Sequence, residues 1–269
     1  MARKIIERVE THRLEQVFLS VEEHIAYLTL HNPPVNIISI VMQEEILLLC
    51  DYINHDDDIW VCVMHSDLKT FCVGADIHRF SQSIPGEDIT GPQKVYYDGA
   101  QALYDLRVPL ICAVHGHCVG GGLCYSAGAD ISIAVKDTLF GAPEAKLCVV
   151  GGSGHLSRLL PPQIMRDMCY CASFITAEEL HSKYGGVTVV VDTPEELMPA
   201  AEAKARELCK RGPLVLRYLK ACMNEQEDLQ MHRKNELELS YTRRMTRYTD
   251  FKEGVSAFLE KRDPEYSGR

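Results

Sequence analysis

The chain has 269 residues, 46% of them hydrophobic and 25% charged, and a formal net charge of −10. That length suits one large domain, or one domain with an appended helical part, of ordinary globular composition. No long basic run appears, so nucleic acid is not expected as a partner, and no apolar run approaches the roughly eighteen residues of a membrane span.

The first residues mix Glu with Lys and Arg and have neither an apolar core nor a small-residue cleavage site, so no secretory or transit signal is expected. The eleven cysteines include no C-x2-C pair, and Cys62, Cys112, Cys118, Cys124 and Cys148 lie in apolar surroundings. Zinc sites and a disulfide framework are therefore not expected. Free thiols in a cytoplasmic protein are the expectation.

Residues 14–31 have the pattern of a hairpin. Val17-Phe18-Leu19 leads into a Glu-Glu turn, after which Ala26, Leu28 and Leu30 share one face and Ile25, Tyr27 and Thr29 the other. Asn32-Pro33-Pro34 stops the strand. Ser39 can cap a helix to about Ile53, with Val41, Ile46, Leu47 and Cys50 on its apolar side. Ile59 to His65 is apolar enough to be a strand buried on both faces. At Phe71-Cys-Val-Gly-Ala-Asp-Ile77 a strand end breaks at Gly74 and enters a polar segment, Asp76 to Gly91. A helix is predicted from about Gln93 to Leu106. Apolar strands alternating with helices argue for parallel pairing through helical crossovers.

The stretch from Val108 to Gly154 carries the chemistry. It predicts a buried strand, Leu110 to His115, a turn ending in Gly120-Gly121-Gly122, a small-residue helix, a strand from Ile131 to Val135, and a loop bearing Pro143-Glu144. Three glycines between a strand and a helix let backbone approach a ligand and leave N–H groups free to face an oxygen gaining negative charge. They also suit plain close packing of helix on strand. Glu144 is the candidate acid or base, although a surface loop acid would look the same. Beyond Gly154, helices are predicted from Pro162 to about Cys171, from the capping box Thr176-Ala-Glu-Glu179, and from Thr193-Pro194. A short strand, Val187 to Val191, precedes the last of these, and residues 212–263 look mostly helical. The division is an α/β core over 1–192 and a helical region over 193–269.

Four landmarks in order, Asn32-Pro-Pro-Val-Asn36, Phe71 to Ile77, Gly116-His-Cys-Val-Gly-Gly-Gly122 and Pro143-Glu-Ala-Lys-Leu147, resemble the enoyl-CoA hydratase/isomerase, or crotonase, family. Leu159-Leu-Pro-Pro162 and Phe258-Leu-Glu-Lys-Arg-Asp-Pro264 resemble its carnitinyl-CoA dehydratase branch. The resemblance implies an α/β fold: a spiral of β-β-α units with a C-terminal helical region that mediates trimers, often paired into hexamers. It implies an acyl-CoA substrate, with coenzyme A arriving on the substrate and no metal or separate cofactor. It implies an oxyanion hole from the N–H groups of Ala75 and Gly121. Coenzyme A contacts are implied around Val73, Ala75, Asp76, Ile77 and Gly121, and at Phe258 and Lys261 across a subunit contact. Asp76 could equally be a loop cap, and Lys261 a plain surface lysine.

Hydratases of this family carry two catalytic glutamates. The second is present as Glu144, but Cys124 stands at the first position. Hydration needs water activated at one carbon and a proton delivered at the next, which suits two carboxylates. A thiol has a reference pKa of about 8.5, raised in apolar surroundings, and replaces a carboxylate poorly. Moving a double bond needs one base only. Whole-chain likeness to carnitinyl-CoA dehydratase still makes addition or removal of water, with Glu144 as acid or base and a histidine or held water compensating, the expected reaction, and isomerisation by Glu144 alone the alternative. Cys124 as a small packed residue and Cys124 as a covalent nucleophile both remain open. His78, His117 and His155 are candidates for the acyl pocket, where a histidine could hold water or move a proton, or are structural. A non-catalytic scaffold that binds coenzyme A is the reading from another class.

Overall fold

The computed structural model describes residues 4–6, 8–9, 12–78, 98–227 and 231–265. Most of the polar segment predicted from Asp76 to Gly91, and the first residues of the helix predicted from Gln93, lie outside them.

A seven-stranded sheet organises the molecule. Its order is β1 (Lys4–Ile6), β4 (Val17–Glu22), β5 (Ile25–Leu30), β7 (Val61–Ser66), β9 (Leu110–Val114), β11 (Ile131–Val135) and β14 (Val189–Val191). A small pair, β2 (Arg8–Val9) with β3 (His12–Arg13), stands apart near the start. The β4–β5 hairpin is antiparallel and every pairing from β5 to β14 is parallel. Its turn falls one residue later than the Glu-Glu reading: Glu23 and His24 both take positive φ, as a two-residue hairpin turn requires. Alternation then sorts the faces as the sequence suggests. Ala26, Leu28 and Leu30 enter one core with Met64, Cys112 and Val114. Ile25 and Tyr27 enter a second with Val63, Ile111 and Ile133.

After each central strand the chain makes a short strand outside the main sheet. β5 is followed by β6 (Ile37–Ile38), β7 by β8 (Gly74–Ala75), β9 by β10 (His117–Val119) and β11 by β12 (Leu139–Gly141). β6 pairs with β8, while β10 pairs with β12 and β12 with β13 (Phe174–Thr176). A helix follows where it is described. Helix α1 (Ile40–His55) is capped by Ser39, whose hydroxyl accepts from the Met42 N–H. Its buried stripe is Met42, Ile46, Leu49, Cys50 and Ile53. Val41 and Leu47, expected on that side, are only partly buried. Residues 98–104 form α2, and Gly121–Gly128 form α3. The result is the spiral of β-β-α units.

Downstream come α4 (Ser153–Leu156), α5 (Pro162–Cys171), α6 (Pro194–Cys209), α7 (Pro213–Gln226), α8 (Met231–Met245) and α9 (Thr249–Glu260). Helix α6 starts with the full capping box of Thr193 and Glu196. Its Leu197, Ala201 and Ala205 cover the second face of the sheet. By packing, α6 lies against the core sheet. Helix α7 is tied to the core by Lys220, 3% exposed, whose ammonium donates to Asp130 Oδ2 at 2.8 Å and to the Val108 carbonyl at 3.2 Å.

Candidate active site

The first two sequence landmarks hold each other. Asn36, buried and at φ 55°, donates through Nδ2 to the Phe71 carbonyl at 2.9 Å and to Ser66 Oγ at 2.7 Å. Cys72 Sγ returns a contact to the Asn36 carbonyl at 3.0 Å. Pairing of β6 with β8 then sets Ile37 beside Gly74 and Ile38 beside Ala75. A buried amide satisfied on both sides and a strand register together fix where the Ala75 N–H sits.

The glycine turn meets it from the other side. Gly74 has φ 89°, and a Cβ there would lie 2.9 Å from the Val119 carbonyl and 3.2 Å from the Gly121 nitrogen. A Cβ on Gly122 would come within 2.5 Å of the Cys72 carbonyl. Close packing and site formation are thus the same fact: only glycine lets α3 approach near enough to bring the Gly121 N–H beside that of Ala75. Gly121 is the first residue of α3, so its N–H lies outside the helix's own ladder.

These groups border a cavity whose near wall includes Val73, Ala75, Ile77 and Gly121. The far wall includes Cys124, Glu144, Leu147, Val149, Gly152 and Thr242. Glu144 follows Pro143 in a 3-10 turn, Pro143–Leu147. The residue is half-buried, but its Oε2 is out of reach of solvent and has no hydrogen-bond partner among the described residues. Oε1 lies near the turn glycines, 3.1 Å from a Cβ built on Gly120 and 3.6 Å from one built on Gly152. Burial raises the pKa of Glu144 to about 7; a hydrogen bond from its own backbone opposes the rise and the charge of Glu238 adds to it. A carboxyl group at that value can both take and return a proton near neutral pH.

Cys124 is buried in the far wall and its thiol is pushed well above the usual range, first by burial, then by the charges of Glu238 and Glu144. It is a neutral, weakly polar wall, and nothing in its surroundings generates a thiolate.

The three histidines do not line this cavity. His117 is exposed on β10, turned away from the glycines that follow it. His78 is exposed, and its backbone N–H is capped by Asp76 Oδ1 at 3.0 Å. His155 is fully buried, with neither ring nitrogen partnered among the described residues, and burial lowers its pKa to about 3. Asp76 acts as that local cap and does not line the cavity. Phe258 is 50% exposed, and Lys261 is exposed with its backbone in the left-handed C-cap conformation of α9. Both lie outside the cavity of their own chain.

Two residues that sequence reasoning missed reach the site from α8. Thr242 lines the cavity and Glu238 holds the turn behind Glu144. Their four-residue spacing puts them on one helix face, but in a helix of polar sequence no local signal separates them from surface residues.

Backbone N–H groups and a carboxyl group of raised pKa bordering one cavity are the parts that an enzyme of oxyanion and proton-transfer chemistry would need. The comparisons give that class its family. The family model described as enoyl-CoA hydratase/isomerase matches residues 20–269. The carnitinyl-CoA dehydratase of Salmonella arizonae is 34% identical over 207 residues, 74% of this chain and 78% of its own. A probable enoyl-CoA hydratase of Bacillus subtilis is 27% identical over 95% of this chain and the whole of its own. The crystal structure of a methylmalonyl CoA decarboxylase superposes with a TM-score of 0.82 over 96% of this chain and the whole of its own, at 22% identity, which speaks for the fold. The chain belongs to the enoyl-CoA hydratase/isomerase family and is an acyl-CoA enzyme of that family. No described helix is long and apolar enough to cross a membrane.

Proposed function

We propose that this enzyme shifts the double bond of an enoyl-CoA thioester, with Glu144 as its single acid–base group and the Ala75 and Gly121 N–H groups as oxyanion donors. The observation that carries the reading is the Glu144 carboxyl: buried, unpartnered at Oε2 among the described residues and poised at about pH 7, with a neutral Cys124 in the same cavity instead of a second carboxylate.

In the forward step Glu144 takes a proton from C2 of a 3-enoyl thioester. The C–H electron pair moves into a dienolate whose charge rests on the thioester oxygen. Two preorganised N–H donors stabilise that charge, each worth roughly 3 kcal/mol by analogy with acyl transfer. The now neutral Glu144 returns the same proton to C4, giving the 2-enoyl thioester. No water is consumed and no second acid is needed. The aliphatic side chains of Val73, Ile77, Leu147 and Val149 suit an uncharged hydrocarbon acyl group.

Hydration of a 2-enoyl thioester is the second reading, favoured by the names of the dehydratase and hydratase relatives. Its cost here is the missing carboxylate, about 10²- to 10⁴-fold for an acid–base group, with no histidine among the described lining residues to take that place. Phe258 and Lys261 are proposed as contacts for the adenine end of coenzyme A supplied across a subunit contact, in a trimer or a dimer of trimers.

Incubation with a 3-enoyl-CoA and, separately, with crotonyl-CoA tests this by the absorbance of the conjugated thioester. A rise with the first substrate at least about tenfold faster than any fall with the second is expected. Faster loss of the crotonyl-CoA signal would overturn isomerisation in favour of hydration. Tight binding of both esters without turnover would mark a scaffold.

A further inference from the structure

Helix α8 buries a polar stripe. Asn235, Glu238 and Thr242 recur at helical spacing, Thr246 continues the row one residue past the helix end, and each is at most 5% exposed. A helix ordinarily turns an apolar stripe to the core, so buried polar residues there need partners. Two of them find partners in the turn behind Glu144. Thr242 Oγ1 donates to the Val150 carbonyl and accepts from the Val150 N–H at 3.2 Å. Glu238 accepts from the Gly152 N–H at 3.0 Å, from Ser153 Oγ at 2.6 Å and from the Gly154 N–H at 2.5 Å. Gly152 in turn lies against the reacting side of the site: a Cβ there would sit 3.6 Å from Glu144 Oε1 and 3.9 Å from Cys124 Sγ.

We propose that Glu238 is a positioning residue for proton transfer at Glu144, acting through the Gly152–Gly154 turn and not by touching substrate. The inference rests on the reading of Glu144 as proton carrier. Glu238 does not line the cavity, so its influence passes through the turn and through space. Three hydrogen bonds to an ionised acceptor make a stiff clamp. Cys124 supplies no second carboxylate in the cavity, so the turn is what confines Glu144.

The electrostatics point the same way. Of the charged groups nearby, Glu238 is the one whose field raises the pKa of Glu144. Cys124 on α3 and Cys169 on α5 are kept neutral by burial. Lys234, one turn earlier on α8, directs its ammonium to Ser157 Oγ at 3.2 Å. Arg158 is engaged by the Ala127 carbonyl and by Glu227, and His155 is held uncharged.

The test is the pH profile of kcat and KM on a 3-enoyl-CoA for the wild type, Glu238→Gln, Glu238→Asp and Glu144→Gln, with melting temperatures alongside. Glu238→Gln removes the charge and turns an amide N–H toward the turn's own donors. Its kcat is expected to fall about tenfold or more with KM moved less than about threefold. The acidic limb of kcat/KM should move to lower pH by about half a unit or more, because a like charge has gone. Glu238→Asp should keep the limb in place while kcat drops, since the charge stays and the clamp slackens. An unmoved limb in Glu238→Gln, with activity lost only in step with melting temperature, would reduce Glu238 to a structural cap. If the Gln variant does not fold, the Asp variant decides: wild-type kcat in it overturns the proposal. Loss of activity in Glu144→Gln with no limb shift in Glu238→Gln defeats this inference alone, whereas an active Glu144→Gln defeats the reading beneath it.

Discussion

The two walls of the cavity, proposed as oxyanion donors and as acid–base group, are held by different means. Ala75 and Gly121 present backbone N–H groups positioned by strand pairing and by glycines whose Cβ atoms would strike backbone. Glu144 presents a side chain on a short 3-10 turn that leans on residues 152–154, which in turn are held by Glu238, 86 residues from Gly152. Backbone donors held by a sheet resist reorganisation and suit the fixed task of meeting a developing charge. A carboxyl on a turn can have its proton affinity set by its surroundings, and here burial raises it first, with the charge of Glu238 adding to the rise.

That difference can be broken from either side. Gly122→Ala should do the most damage, because its Cβ would meet the Cys72 carbonyl at 2.5 Å and neither backbone can yield cheaply. A loss of about 1–3 kcal/mol in stability and of at least about 10² in kcat/KM is expected from denaturant titration and steady-state assays. Little change in either would mean the two walls are not locked at this contact.

The second prediction concerns pH. With Glu144 at about 7, a base is productive only above that value, so kcat/KM should fall roughly tenfold per unit below it. A limb near pH 4.5 instead would show that burial does not govern this group.

His155 sharpens the contrast through stability. Its folded pKa, about 3, lies below the unfolded value of about 6.5. The unfolded chain therefore binds more protons as pH falls, and stability is lost from about pH 6.5 downward, by about 2 kcal/mol at pH 5. Glu144, with a raised pKa, works in the opposite sense between about 4.5 and 7, so the comparison must be between wild type and His155→Leu. The gap between their melting temperatures should widen in favour of the variant on acidification, and a constant gap would mean His155 is not buried neutral.

The smallest effect is expected at Cys124. A neutral thiol in the wall contributes packing, so Cys124→Ser should change kcat/KM by less than about tenfold. A loss as large as that from an acid–base group would restore the covalent reading.

Much of this was legible in the chain. Alternation from Ile25 to Leu30 sorts into the two cores, Ser39 caps α1, and β11 spans Ile131–Val135 as the pattern predicts. The close approach of Gly121 to Gly74 and Ala75 lies where the family resemblance, and no spacing by itself, implies the oxyanion donors. The outer strands β10, β12 and β13 were not legible, since three residues carry no period. The packing of α6 on the sheet is not legible, because its buried Leu197, Ala201 and Ala205 are mostly small and nothing local says that a sheet lies beneath them. The histidines drew notice by closeness in sequence to the glycines and the Pro-Glu turn, yet β10 turns His117 outward and α4 turns His155 into packing. Glu238 and Thr242 were hidden because a buried polar stripe reads, by hydropathy, as a solvated face.

The central claim is that one carboxyl moves the proton. Single-turnover conversion of a 3-enoyl-CoA by wild type and Glu144→Gln, with both confirmed as folded, tests it directly. The variant is expected to bind the ester and convert it at least about a hundredfold more slowly. Conversion by Glu144→Gln at the wild-type rate would contradict it.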